Sequence, residues 1–189
     1  MPLAADRLMS ESARSLLAFL EGCRGPDGII RRHSFHPEQL REWLGGIGIL
    51  QWDAGRDDFL YRLFGTHLAQ NLGRDLTGHT LAAWPPDLAQ IMREQASVAV
   101  DRGVTVVAHY RFHVLKRSGV VENGLLIQEK MVVPMAYTDE GPLDSVLVYV
   151  GQELADIPEL RSHMMATDGS CWCAGDRSVC PGCPLPLGT

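Results

Sequence analysis

A chain of 189 residues, 46% hydrophobic and 21% charged, has the make-up of one folded domain with extensions, and this excludes wholesale disorder. A formal net charge of −6 argues against non-specific binding to nucleic acid, whose phosphates need clustered Lys and Arg; the basic pairs are Arg31-Arg32 and Lys116-Arg117. The stretch "ARSLLAFLEGC" is too short and too charged to span a membrane or serve as a signal peptide, so the chain is read as cytoplasmic, where thiols stay reduced.

Residues 10–22 read as an amphipathic helix, with Leu16, Phe19, Leu20 and Cys23 on one stripe. Such a stripe packs on its own domain or on a second copy, and a homodimer through this helix is one expectation. "SFHPEQLREWLGG" reads as a second, short helix, with Pro37 in its first turn and Gly45-Gly46 at its end. "IGILQWD" and "DFLYRLFGT" read as two strands around the turn "AGRD". In the second, Phe59, Tyr61 and Leu63 alternate with Leu60, Arg62 and Phe64. "THLAQNLG" is a short helix ended by Gly73. "PPDLAQIMREQASVAVDRG" is the longest helix, opened by two prolines and closed by Gly103. Strand-like runs follow in "VTVVAHYRFHVL", "GLLIQEKMVVPMAY" and "DSVLVYVGQEL", joined by turns rich in Gly, Asn, Asp and Pro. The element order implies an α+β fold, an antiparallel five-stranded sheet with helices on one face.

The stretch "DDFLYRLFGTHLAQNLGRDLTGHTL" resembles the central signature of a PAS domain, in its single-domain alphaproteobacterial type. The resemblance is carried by Phe59, Tyr61, Arg62, Leu63, Gly65 and Thr66, then by "GRDLTG" from Gly73 to Gly78. "HPEQLREWLGGIGILQWD" resembles that family's entry helix and first strand, and "QEKMVVPM" its strand ending in a proline. The likeness spans residues 30–152 and leaves out the tail. It implies a stand-alone sensory or regulatory module, not an enzyme, that signals through a protein partner. The chain divides into a helical extension (residues 1–28), the PAS-like domain (29–155) and a Cys-rich tail (156–189).

The same resemblance implies a pocket between the sheet and its helices. Candidate lining residues are Tyr61, Arg62, Leu72, Leu76, Tyr110, Glu129 and Met131, with Leu63, Leu81, Ile91, Val106, Ile127 and Val148 as apolar fill. Glu129 shares parity with Ile127, Met131 and Val133. A carboxylate there needs a partner, and Arg62 on the second strand is one candidate. Gln51, His109 and His113 are further polar candidates. Whether the interior is filled by side chains or leaves a ligand cavity stays open, because a slip of one residue exchanges the two faces. Haem-binding PAS domains use a histidine on a helix beside the pocket. His67 and His79 lie nearest such a place, although a lone histidine is more often a surface or satisfied core residue.

Four of the five cysteines fall in "CWCAGDRSVCPGC". Cys171 and Cys173 form C-x-C, and Cys180 and Cys183 form C-x-x-C around Pro181-Gly182. Four thiolates in two pairs suit a closed, structural zinc site. An iron–sulfur cluster, a redox pair and an unordered tail are the alternatives. Two rival functions follow: a redox or metal sensor whose input is this cluster, and a small enzyme using the PAS-like pocket.

Overall fold

The computed structural model describes residues 8, 10–115, 121–151, 163–166 and 171–173, with side chains described at 8, 10–109 and 128–151. Helix α1 spans Glu11–Gly22, and the Ser10 side chain caps it by accepting from the Ala13 N–H. The expected second helix is instead two single 3-10 turns, Pro37–Leu40 and Leu44–Gly46. Pro37 lacks a donor, and Gly45-Gly46 adds two residues of poor helix propensity. The segment is used to lay Phe35, Leu40 and Trp43 into the core.

Strands β1 (Ile47–Asp53) and β2 (Asp58–Phe64) form a hairpin. Helix α2 (Thr66–Leu72) follows and ends at Gly73, whose φ of 78° is the left-handed conformation that glycine adopts without strain. Helix α3 (Pro86–Arg102) starts behind Pro85 and ends at Gly103. Strands β3 (Val106–Leu115), β4 (Val121–Met135) and β5 (Ser145–Val150) complete an antiparallel five-stranded core in the order β2-β1-β5-β4-β3. Two short segments of the stretch expected to be irregular, β6 (His163–Ala166) and β7 (Cys171–Cys173), extend the sheet beyond β3.

The sheet is buried on both faces. Leu50, Tyr61, Val132 and Val148 pack beneath α3 and the turn at Leu81–Ala83. Ile49, Met131, Val133, Leu147 and Tyr149 pack on the other side, beneath α1 and the Ile30–Trp43 segment. A sheet covered twice reads as continuous apolar runs, as "MVVPM" and "SVLVYV" do, rather than as alternation. Ala13, Leu16, Leu17 and Leu20 of α1 are all buried within the chain. Each such leucine contributes roughly 1.5–3 kcal/mol by leaving water. Of the expected stripe, Leu16 and Leu20 are buried and Phe19 and Cys23 are half-buried against the same cluster, so it packs on its own domain.

Candidate functional site: a pocket under the sheet with a buried lysine

A pocket of about 260 Å³ lies between the inner face of the sheet and helices α2 and α3. Its apolar walls come from Leu50 and Phe64 on the sheet, Leu68 and Leu72 on α2, and Leu88 and Met92 on α3, with Trp84 at the turn between them. Its polar side chains are Tyr61, Asn71, Gln128 and Lys130. A wider hollow of about 810 Å³ adjoins it, shares Leu68, Asn71, Gln128 and Val150, and is rimmed by Glu42, Trp43, His67 and Tyr149.

The walls are held by polar clamps. Asp58, at the start of β2, accepts from its neighbour Phe59 N–H at 2.9 Å, from Ala82 N–H at 3.0 Å and from Arg93 Nε of α3 at 3.0 Å. Burial pushes its carboxyl up. The hydrogen bonds from Arg93, Phe59, Ala82 and Thr80 outweigh that and leave it below its usual value. Trp84 Nε1 donates to the Tyr61 hydroxyl at 3.1 Å, and burial pushes the Tyr61 phenol well above its ordinary range. Tyr61 and Phe64 meet edge to face with centroids 5.0 Å apart.

Lys130 is the unusual member. It is 7% exposed and lines the pocket from β4. Among the described residues no hydrogen bond or ion pair reaches its amine, and burial alone brings it down from 10.5 to about 7. Its neighbour Glu129 points to the opposite face. There Glu129 accepts from Ser10 N–H at 3.2 Å and Ser10 Oγ at 2.5 Å, and lies 3.3 Å from His109 Nε2.

Of the expected pocket residues, Tyr61 and Leu72 line the cavity, and Leu76 is buried in the packed cluster beside it. Tyr110 has its backbone on β3 opposite Gln128, and its side chain lies outside the described residues. Arg62, Glu129 and Met131 are corrections. The β1–β2 register moves from Ile49–Leu63 to Leu50–Tyr61, so Arg62 is the extra residue of a bulge. It is exposed, donates to Gln51 Oε1 at 2.8 Å and stacks over Tyr137, while Glu129 is held by Ser10 and His109 instead. The bulge also moves Leu63 to the α1 side and brings Phe64 to the pocket side. Met131 follows Glu129 to the α1 face because side chains alternate along a strand.

His67 borders the wider hollow and is not part of the inner pocket's wall, and His79 is exposed. The backbones of Cys171 and Cys173 lie on β7, while Cys180 and Cys183 lie outside the described residues. Among the described residues no three His, Cys, Asp or Glu come together to hold a metal. Among them, too, no helix is long and apolar enough to cross a membrane.

Lys130 carried a readable signal that sequence reasoning passed over. It shares parity with Gln128 and Val132, and it is a charge in a strand with no polar-out face to receive it.

An antiparallel five-stranded sheet, with short helices and one longer helix enclosing a pocket on its inner face, is an α+β fold of the PAS type. The model of the PAS domain family matches residues 8–136, and the chain belongs to that family. The match begins ahead of α1, so this helix is part of the matched stretch. No curated protein and no solved structure matches the chain.

Proposed function

We propose that this chain is a sensory or regulatory module, a binding protein rather than an enzyme, that takes a small molecule into the pocket beneath β1, β2, β4 and β5 and signals through a protein partner. The observation that supports this reading is the pocket itself. It has apolar walls with a few polar side chains, the usual make-up of a small-molecule site. At about 260 Å³ it falls just under the range of drug-sized sites, roughly 300–1,000 Å³, so the ligand is small. Family membership supports the sensory role.

The test is a screen of small molecules by thermal shift, on wild type and on Leu72→Trp, which fills the cavity from α2. Compounds that raise the melting temperature of wild type but not of the filled variant support the reading. Equal shifts in both proteins count against it.

The four cysteines Cys171, Cys173, Cys180 and Cys183 are proposed to hold a structural zinc ion, on the strength of their C-x-C and C-x-x-C spacing. This would order the tail and leaves the sensing role to the pocket.

A further inference from the structure

We infer that the pocket is built for a small carboxylate with an apolar body, whose head group pairs with Lys130. The inference rests on the pocket reading just given and adds the ligand's chemical class.

An ammonium taken out of water without a counter-ion is costly, and proteins rarely keep one unless something supplies the missing charge. Lys130 is buried, lines a cavity, and has no partner among the described residues. Two buried acids among the described residues are already engaged elsewhere. Glu129 leaves the other face of β4 and is held by Ser10 and His109. Asp58 is saturated by Arg93 and two backbone N–H groups. A bound carboxylate would provide the charge.

The second carboxylate oxygen also has a donor to hand. Gln128 stands two residues from Lys130 on the same strand, so both side chains leave the same face, and Gln128 lines the same pocket. The opposite wall, made by Leu72, Leu88 and Met92, is apolar and accepts a ring or short alkyl chain. Burial holds the free amine near neutrality, and a carboxylate placed against it would restore the charged form.

The test uses matched pairs that differ only in the head group: phenylacetate against phenylacetamide, and hexanoate against hexanamide. Affinities are measured by calorimetry on the full chain, wild type and Lys130→Met. The expected result is that each acid binds wild type roughly ten- to a hundredfold tighter than its amide. Lys130→Met should erase that preference while keeping the weaker affinity for the amide. If Lys130→Met does not fold, Lys130→Gln carries the same comparison. Equal binding of acid and amide, or an acid preference that survives loss of the amine, overturns the inference and leaves the pocket reading standing. Binding of neither member of either pair overturns the inference and counts against the pocket reading as well.

Discussion

The hydroxyl of Ser10 donates to the carboxylate of Glu129 at 2.5 Å, joining residues 119 positions apart. This bond fixes the start of α1 to the middle of β4. Ser10 Oγ also accepts from Ala13 N–H, so one atom both caps the helix and docks it. The Ser12 and Tyr149 hydroxyls, 2.8 Å apart, add a second polar tie along the same seam.

Ser10→Ala should therefore cost more than an ordinary cap. Loss of the cap and of a hydrogen bond to a buried carboxylate together predict about 1–3 kcal/mol of stability. Denaturant unfolding reads the total. Hydrogen exchange should show the loss of protection concentrated in residues 11–22, and a loss spread evenly over the sheet would contradict the docking role.

Lys130 sets a pH dependence whose sign is fixed. In the unfolded chain the amine keeps its proton up to about 10.5, and in the folded protein only up to about 7. The unfolded state binds more protons across that window, so stability rises with pH from about 7 towards 10.5. Below about 7 the cost of the buried ammonium is fully present. Tyr61, also on the pocket wall, stays neutral throughout because burial pushes its phenol up, while Glu42 and His67 face the adjoining hollow. Lys130→Met should be the more stable protein at pH 6, by on the order of a few kcal/mol, with the gap narrowing towards pH 10. A less stable variant at pH 6 would show that the ammonium is supported by something else.

Asp58 acts in the opposite direction. Its carboxyl lies below its usual 3.8 in the folded protein, so its contribution is present above that value and is lost as pH falls through the folded one. Asp58→Asn keeps the shape and removes the charge that Arg93 and the two N–H groups address. The expected cost is about 1–3 kcal/mol at neutral pH, together with a shallower loss of stability in acid. An unchanged acid limb in the variant would assign that limb to other carboxyls.

Metal content decides the tail. Protein purified without added metal is expected to carry about one zinc per chain with its tail thiols protected from a thiol reagent. Iron with visible absorbance would replace the zinc reading by a cluster. Metal-free protein with four reactive tail thiols would end both.

Much of this fold was legible in the sequence because its punctuation is strong. Pro85-Pro86 and Gly103 bracket α3, Gly73 closes α2, and "AGRD" turns β1 into β2. Parity was legible too: Glu129 and Met131 do share a face. Which face that is was not, because period two says which side chains travel together and not which helix will cover them. Helix α1 was legible as a helix, but what it packs on was not, because its stripe fits a partner copy as well as its own sheet. The bulge at Arg62 hid the rest, since one extra residue moves Leu63 and Phe64 to sides that simple alternation does not give. Lys130 and Glu129, adjacent on β4, serve opposite faces by simple alternation.

Every residue from Glu129 to Ala136 is buried. An ordinary half-exposed strand has a permissive parity, where every second position drifts freely under mutation. The stretch from Glu129 to Ala136 has none. A saturation scan of stability should show this stretch as an unbroken band rather than a dotted line, with Lys130 accepting an apolar side chain of its own length and little else.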